Sequence, residues 1–464
     1  MSTQTPPANL QVAEISALFS DALPTARILT TAIDDYSHDE GLGLTPQAPV
    51  AVLLPETVEE VSAIVQICDR HKLALTARGS GTGLSGAAIP NAGGVVVSFE
   101  RMKSIEIDIE NQMAVVGPGV TLAELDEVLA PLQLVYPVQP GENSSSLGGN
   151  VATNAGGMRA VKYGVTRHQV LGLEVVLTSG EIIRTGGKFV KGSTGYDLTQ
   201  LIIGSEGTLA LVTEVIIKLH PRLAHEATIL APFRSLDEVM HAVPRLVASG
   251  LGPMIVEYIN VGLMDALSER HKLSLGVPAD VKAQTEAYLV MVMENSAEVR
   301  LDEDVAALAE MTSGFGALDV YVLPKGAGEA LIRAREQAFW LSKDTNAGDL
   351  VDIVVPRGSM PEFFDLVSKI AAEEEAFITG CGHAGDGNVH LSVYPNNPEN
   401  MPRVMMRLFE TGMSLGGVIS GEHGLGTAKR KYFLELEDPV KIALMRRIKA
   451  AFDPNGILNP DKVI

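Results

Sequence analysis

A glycine-rich stretch in the first quarter of the chain constrains its fold more than any other feature. It reads RGSGTGLSG (residues 78–86) and lies between two strand-like apolar runs. Glycine lets a backbone take positive φ and approach a ligand closely, and successive N–H groups in such a loop form a concave nest for anionic oxygens. We interpret the stretch as a loop that binds the pyrophosphate of a dinucleotide, and a flexible glycine turn is the alternative.

The spacing within this loop does not match the two commonest phosphate-binding motifs. It has no Gly-Lys-Ser/Thr ending, and it is not a G-x-G-x-x-G fingerprint followed by an acidic residue in a βαβ unit. Neither an ATPase nor a nicotinamide-binding Rossmann domain is therefore favoured. Two further clusters, GENSSSLGGNVATNAGG (residues 141–157) and IGSEGTL (residues 203–209), also lead into apolar runs. Three such loops suggest one long ligand that crosses several segments of the chain.

Length, charge and cysteine content narrow the class of protein. A chain of 464 residues is too long for one core, so two or more domains are expected. The net charge of −21 argues against binding nucleic acid or an anionic membrane through a basic surface. The N-terminus has no signal-peptide pattern, and no apolar run approaches the roughly 18 residues of a transmembrane helix. Two distant cysteines, Cys68 and Cys381, fit a reducing cytoplasm, and peripheral membrane contact stays open.

Helix-start signals and changes in periodicity divide the chain. Thr57 with Glu60 and Thr121 with Glu124 form capping boxes that begin helices. Strands and turns alternate as far as Pro221, which cannot continue a ladder. Beyond it, helical and strand-like runs alternate without glycine fingerprints, which predicts a sheet covered by helices on one face. The expected divisions are an N-terminal segment (1–45), a ligand-binding domain (46–224), a substrate or cap domain with the metal site (225–416) and a C-terminal segment (417–464).

A second constellation carries candidate catalytic chemistry. The stretch GCGHAGDGNVH (residues 380–390) places two histidines on either side of a turn sequence, residues 385–388. If this turn is a four-residue hairpin loop, His383 pairs with His390, and directly opposed residues have Cβ atoms about 4.5–5.5 Å apart. That separation suits two imidazoles sharing one metal ion. A histidine pair across a hairpin also occurs for structural reasons alone.

A third candidate ligand lies in SGEHGLG (residues 420–426). Glu422 with the two histidines makes a set of two imidazoles and one carboxylate, which leaves positions open as catalytic sites do. His423 adjoins this carboxylate but is expected to point elsewhere, so we assign it as a catalytic base. A divalent metal would lower the pKa of a substrate hydroxyl, and a histidine that titrates near neutrality can take its proton.

The order of these motifs resembles one superfamily. The apolar run before Thr57, the loop RGSGTGLSG, and the clusters GGNVATNAGG and GSEGTLALVTE look like an FAD domain of the vanillyl-alcohol-oxidase type. Within that superfamily the chain is most similar, from about residue 46 to its end, to D-2-hydroxy-acid dehydrogenases: D-lactate dehydrogenase, the glycolate oxidase catalytic subunit and D-2-hydroxyglutarate dehydrogenase. This resemblance implies an α+β fold. A two-subdomain FAD-binding domain joins a cap domain with an antiparallel sheet covered by helices, and the C-terminal segment returns to the FAD domain.

The resemblance also implies site residues. His383, His390 and Glu422 would hold Zn²⁺ or Mn²⁺, and His423 would be the base that contacts the substrate. Arg335 aligns with an arginine whose planar fork binds the substrate carboxylate. Asn388 would either contact the substrate or orient the turn. The expected FAD-binding residues are Arg78, Gly79, Ser80, Gly81, Thr82, Gly83, Ser85, Pro140, Gly141, Gly148, Gly149, Asn150, Thr153, Asn154, Gly157, Glu206, Gly207, Leu209 and Asn459.

Two departures from the family pattern refine the expected reaction. Leu350 stands where D-2-hydroxyglutarate dehydrogenases carry a lysine for the second carboxylate, which favours a short monocarboxylate such as D-lactate or glycolate. Thr82 stands at the usual place of covalent flavin attachment, so FAD is expected to be non-covalent. The expected activity is oxidation of a D-2-hydroxy acid to the 2-oxo acid with hydride transfer to flavin N5.

Several alternatives stay open from the sequence. The chain could be a glycolate oxidase subunit or a D-2-hydroxyglutarate dehydrogenase. More remotely, it could be a metal-dependent hydrolase or a non-catalytic FAD-binding subunit of a larger oxidase. The electron acceptor could be a quinone, a cytochrome, an electron-transfer flavoprotein or oxygen. A homodimer is compatible with the sequence.

Overall fold

The computed structural model describes residues 12–464, so residues 1–11 of the expected N-terminal segment lie outside it. Up to residue 221 its helices and strands are α1 (Val12–Phe19), β1 (Ile28–Leu29), β2 (Ala51–Leu53), α2 (Val58–His71), β3 (Leu75–Arg78), β4 (Val95–Ser98), β5 (Ile105–Asp108), β6 (Met113–Val116), α3 (Leu122–Leu129), β7 (Leu134–Val135), α4 (Leu147–Thr153), α5 (Ala160–Tyr163), α6 (Thr166–Gln169), β8 (Val170–Val176), β9 (Ile182–Gly186), α7 (Leu198–Ile202), β10 (Leu211–Lys218) and β11 (His220–Pro221).

The remaining elements follow in chain order. They are β12 (His225–Phe233), α8 (Leu236–Val247), β13 (Ile255–Asn260), α9 (Val261–His271), α10 (Ala279–Lys282), β14 (Ala287–Asn295), α11 (Glu298–Gly314), β15 (Tyr321–Val322), α12 (Lys325–Glu336), α13 (Ala338–Asp344), β16 (Asp349–Val354), α14 (Met360–Glu373), β17 (Ala376–Gly382), β18 (Asn388–Pro395), α15 (Met401–Ser414), α16 (Arg430–Leu436) and α17 (Pro439–Phe452).

Two sheets build the N-terminal half. The first has the order β1-β2-β4-β3, with β4 parallel to both β2 and β3. The second is antiparallel, with the order β5-β6-β10-β8-β9. The glycine-rich loop leaves the carboxyl end of β3, and ligands of parallel sheets bind at such ends.

The two predicted capping boxes differ in the structure. At α3 the box is complete, because Thr121 and Glu124 each accept from the other's backbone N–H. At α2 the Thr57 hydroxyl accepts from the Glu60 N–H, but the Glu60 carboxylate accepts from the N–H of Glu56 and pairs with Arg27. The prediction of a second reciprocal box is therefore wrong, since a nearby arginine draws the glutamate away.

A seven-stranded antiparallel sheet builds the rest, with the order β15-β12-β14-β13-β17-β18-β16. Helices α8, α11, α14 and α15 cover one face through the largest apolar core. Helices α9 and α12 cover part of the other face, where Leu230 and Val290 pack against Met264 and Leu331. The predicted single helical layer is therefore wrong. Strands β12 and β14 are buried on both faces, so they need cover on both.

The C-terminal residues return to the first sheet. The N–H of Leu75 donates to the carbonyl of Ile457, and the N–H of Asn459 donates to the carbonyl of Leu75, both at 2.8 Å. Cys68 and Cys381 are buried free thiols. Within residues 12–464 no helix has both the length and the apolar character that a membrane crossing requires.

Candidate active site

A cavity lies beside the glycine-rich loop. Two buried polar atoms on its wall, Asn150 Nδ2 and Ser145 Oγ, have no protein hydrogen-bond partner. A Cβ built on Gly79 would lie 1.9 Å from Ser146 Oγ, so only glycine allows this close approach. The predicted FAD-binding residues that line the cavity are Gly79, Ser80, Gly81, Thr82, Gly83, Pro140, Gly141, Gly149, Asn150, Thr153, Glu206 and Gly207. The unpartnered polar atoms and the bare backbone fit a dinucleotide.

The other predicted FAD-binding residues lie outside the wall of this cavity. Arg78 donates to the carbonyls of His38 and Asp35, which ties the N-terminal segment to the loop. Ser85 Oγ lies 3.0 Å from the His423 carbonyl oxygen. Asn459 Nδ2 donates to the carbonyls of Ala87 and Glu206. The set outside the wall of the large cavity is Arg78, Ser85, Gly148, Asn154, Gly157, Leu209 and Asn459.

A second cavity adjoins the first, and both histidines of the pair line it. The two cavities share seven lining residues, so they lie side by side. The shared residues are Leu84, Pro140, Gly141, Glu336, Phe339, Glu422 and His423. We name the first the flavin cavity and the second the substrate cavity, after the ligands that the sequence predicts for them.

Three side chains in the substrate cavity form a compact set of metal-ligand atoms. His383 Nε2 and His390 Nε2 lie 3.2 Å apart, and each lies 3.3 Å from Glu422 Oε1. A tetrahedral zinc ion with bonds of about 2.0–2.1 Å holds its ligand atoms about 3.3–3.4 Å apart. The spacing therefore fits one divalent cation that binds all three ligand atoms on the same side.

The hairpin that carries the two histidines differs from its predicted form. His390 is paired with Cys381, and β17 ends at Gly382, so the loop comprises the five residues 383–387. The N–H of Asn388 donates back to the His383 carbonyl, and Gly387 takes φ +87°. The predicted pairing of His383 with His390 is wrong, because the loop closes on His383 itself. The imidazole of His383 nevertheless lies next to that of His390, because the loop places His383 beside the start of β18.

Electrostatics around His383 favour a cation at this position. Its Nδ1 lies 2.6 Å from Glu257 Oε1, the arrangement by which carboxylates orient metal-binding histidines. Burial by itself would lower the pKa of His383, but Glu257 and Glu422 raise it well above its ordinary value. Glu257 is fully buried and is 126 positions from His383, so no local pattern announced it.

Arg335 lies on the far side of Glu257. Its Nη2 is 2.8 Å from Glu257 Oε2, outside hydrogen-bond geometry, and both its Nε and its Nη2 lack a hydrogen-bond acceptor. The side chain is buried and lines the substrate cavity. The structure thus brings Arg335 to the metal-ligand set in an ion pair with Glu257, and its Nε has no acceptor. Arg333, on the same helix, is exposed and pairs with Glu329.

Asp352 is a further buried carboxylate that the sequence did not single out. Its Oδ2 accepts from the backbone N–H groups of Gly421, Glu422 and His423 at 2.9–3.0 Å, and from the Ser420 hydroxyl. Burial opposes its ionisation, but His423, Lys429 and His390 hold the pKa of Asp352 well below its usual range. Asp352 therefore anchors the segment that presents Glu422 and His423.

His423 and Asn388 take different places in this arrangement. His423 lines both cavities and stacks on His390, with ring centroids 5.2 Å apart. Burial lowers the pKa of His423 to about 4, against the opposing charge of Asp352. Its imidazole is therefore neutral at pH 7, and it is a weaker base than the histidine titrating near neutrality that the sequence predicted. Asn388 lies outside the wall of both cavities, because its amide donates to Asp352 and to the Ile353 carbonyl.

Comparison with known proteins gives the class of this molecule. Residues 49–186 match the FAD binding domain family, and residues 222–463 match the family of FAD linked oxidases, C-terminal domain. The fold is that of p-cresol methylhydroxylase, with a TM-score of 0.77 at 20% identity over 97% of this chain and 96% of that one. The protein is therefore an FAD-linked oxidoreductase with a fold of the vanillyl-alcohol-oxidase type.

Sequence relatives narrow the class. An FAD-linked oxidoreductase of Mycobacterium tuberculosis is 56% identical over 97% of this chain and 99% of its own. A D-lactate dehydrogenase of Archaeoglobus fulgidus is 38% identical over 93% of this chain and 96% of its own. A D-2-hydroxyglutarate dehydrogenase of Stutzerimonas stutzeri is 33% identical over 94% of this chain and 96% of its own. The chain belongs to this family of FAD-linked D-2-hydroxy-acid dehydrogenases, and membership disfavours the metal-hydrolase alternative.

Proposed function

We propose that the protein oxidises a D-2-hydroxy monocarboxylate, D-lactate or a similar short acid, to the 2-oxo acid with non-covalent FAD and a divalent metal. One observation carries the proposal. The His383, His390 and Glu422 ligand set lies in a cavity that contains Arg335 and shares seven wall residues with the flavin cavity. The relatives named D-lactate dehydrogenase support the choice of substrate class.

Each residue has a role in this proposal that follows from its position. Arg335 binds the substrate carboxylate through its guanidinium group, whose Nε has no acceptor in the protein. His423 takes the hydroxyl proton at Nε2, because its Nδ1 faces Asp352 at 3.9 Å. When bound, FAD supplies a hydride acceptor, and Zn²⁺ or Mn²⁺ held by His383, His390 and Glu422 supplies a Lewis acid for the hydroxyl.

The proposal is tested by following flavin bleaching without oxygen. We expect D-2-hydroxy acids to reduce the FAD, L-enantiomers to do so far more slowly, and a chelator to abolish reduction until Zn²⁺ or Mn²⁺ is returned. Strict preference for L-acids, or full reduction after verified metal removal, would contradict the mechanism. A protein that binds FAD but is bleached by no 2-hydroxy acid would support a non-catalytic subunit instead.

The same assay separates the base from the metal site. His423→Ala is expected to keep its FAD and to lower the rate of flavin reduction by about 10²–10⁴-fold, the usual contribution of a positioned base. His241→Ala, on the exposed side of α8, is the matched control and is expected to bleach normally. Normal bleaching in the His423 variant would remove that residue from the role of base.

A further inference from the structure

A third cavity lies beside α3 in the N-terminal half of the protein. Its apolar surface comes from α3, from β7 and from the segment that follows β7. The residues that form this surface are Leu122, Leu125, Leu129, Val135 and Val138. All of them except Val135 are buried members of the core under the antiparallel sheet, so packing fixes the shape of the surface. We name this space the α3 cavity.

Two donor atoms on the wall of the α3 cavity are buried without an acceptor. Tyr136 is 7% exposed, and its hydroxyl lies near that of Thr166 but outside hydrogen-bond geometry. The Thr166 hydroxyl itself donates to the Ala155 carbonyl. Arg159 is partly buried, and its Nε has no acceptor. Because an unpaired buried donor is unfavourable, a ligand that brings an acceptor oxygen gains from both groups.

The other charged groups on this wall do not use the Arg159 guanidinium. Arg222 pairs with Asp126, so these two charges balance each other. The remaining acidic residue of the wall, Glu127, is exposed to solvent. Within residues 12–464 the guanidinium of Arg159 has no carboxylate at ion-pair distance. An anion that enters the cavity therefore meets a cation that is free to bind it.

Only one segment of main chain separates the α3 cavity from the candidate active site. Gln139 lines both the α3 cavity and the substrate cavity, and its amide donates to Glu336 at 2.8 Å. Pro140 and Gly141 then line the flavin cavity, and Asn143 lines the α3 cavity again. The α3 cavity is nevertheless separate, because none of the proposed metal ligands is among its described wall residues.

We propose that the α3 cavity is a second ligand site, and that it binds an organic monocarboxylate with an apolar chain. The carboxylate accepts hydrogen bonds from Arg159 and Tyr136, because both unpaired groups are donors and one of them is a cation. The apolar chain of the ligand covers the leucines of α3. The inference goes beyond the proposed function, since this ligand is bound and not oxidised.

Calorimetric titration of the FAD-loaded protein with hexanoate tests the site. Hexanoate has no hydroxyl group, so no turnover interferes. Arg159→Gln should weaken its binding about 10–100-fold, the usual value of a hydrogen bond to a charged group, and Tyr136→Phe about 2–10-fold. Hexanamide has the same shape without the charge, and it should bind the wild type at least tenfold more weakly than hexanoate does.

Two further variants serve as controls. Arg333→Gln changes an exposed arginine of α12 and should leave hexanoate binding as in the wild type. Arg335→Gln separates the two cavities, because it removes hexanoate from the substrate cavity and should leave the α3 site intact. Thermal unfolding midpoints close to that of the wild type show that each variant is folded.

The inference is wrong if Arg159→Gln and Tyr136→Phe both bind hexanoate as the wild type does. It is also wrong if Arg335→Gln alone abolishes binding, since the ligand would then lie in the substrate cavity. Hexanamide that binds as tightly as hexanoate would contradict a carboxylate site. None of these measurements depends on flavin reduction, so failure of the α3 site and failure of the proposed function are observed separately.

Discussion

At the scale of single residues, Glu336 occupies an unusual position. It lines both the flavin cavity and the substrate cavity, and its carboxylate accepts a hydrogen bond from Gln139 at 2.8 Å. Burial raises the pKa of Glu336 to about 7, although nearby cations oppose the shift. The charged residues that act on it are Arg159, Arg335, Arg333 and Glu142. Glu336 therefore changes charge near neutral pH in the space that we propose receives an anionic substrate.

This pKa predicts the direction of a pH effect on the enzyme. Below about pH 7 Glu336 is neutral, and above it the carboxylate repels the substrate carboxylate, so kcat/KM should fall as pH rises through the pKa of Glu336. In Glu336→Gln this component of the fall should disappear, since the amide does not ionise. Steady-state kinetics on both sides of pH 7 measure the difference. Parallel pH profiles for the two proteins would exclude the effect.

At the scale of elements, strand β16 holds the segment that follows α15. Asp352 lies in this strand, and its Oδ2 accepts hydrogen bonds from three backbone N–H groups and from the Ser420 hydroxyl. Val354 of the same strand exchanges backbone hydrogen bonds with Val418. The strand thus holds Glu422 and His423 in place through Asp352. Asp352 itself does not line the substrate cavity.

Replacing Asp352 tests this anchoring role. Asp352→Asn should lower metal affinity and flavin reduction by about 10–100-fold, the usual cost of losing a group that orients metal ligands. FAD content should be retained, because Asp352 lies outside the flavin cavity. Asp349→Asn, the same change at the start of the strand, is the control and should affect neither quantity. Equal metal affinities in the wild type and the Asp352 variant would contradict the role.

At the scale of the whole molecule, the site is assembled from distant parts of the chain. Glu206, in the N-terminal half, accepts from the N–H groups of Leu425 and Gly426 at 2.7 and 2.8 Å. Asn459 binds the Glu206 carbonyl and the Ala87 carbonyl. These contacts tie the wall of the flavin cavity to the segment that carries His423, so the residues proposed for cofactor binding and for catalysis share one interface.

Loss of the Glu206 charge should weaken this interface. Glu206→Gln replaces one acceptor oxygen by an amide donor beside two buried N–H groups, and leaving such a group unpaired costs about 1–3 kcal/mol. We expect a lower thermal unfolding midpoint and a lower ratio of FAD to protein after gel filtration. Glu181→Gln, exposed in the turn before β9, is the control. Unchanged values in both variants would show that the interface does not depend on this carboxylate.

Local signals in the sequence were sufficient for much of the fold. The helices predicted to begin at Thr57 and Thr121 are α2 and α3, and these two threonines are their N-cap residues. The glycine-rich loop lies at the flavin cavity, as its composition predicted. Capping, periodicity and glycine content act over a few neighbouring residues, so each leaves a pattern that a single sequence displays.

Other features were decided only by the tertiary structure. The five-residue loop after β17, the second helical layer on the large sheet, and the partners Glu257 and Asp352 left no local pattern. Glu257 and His383 are 126 positions apart, and their pairing exists only because β13 lies beside β17. The sequence by itself determined which chemical groups are present and which short elements form. The packing of the sheets determined which carboxylate orients which histidine, because that depends on distances between segments that only folding brings together.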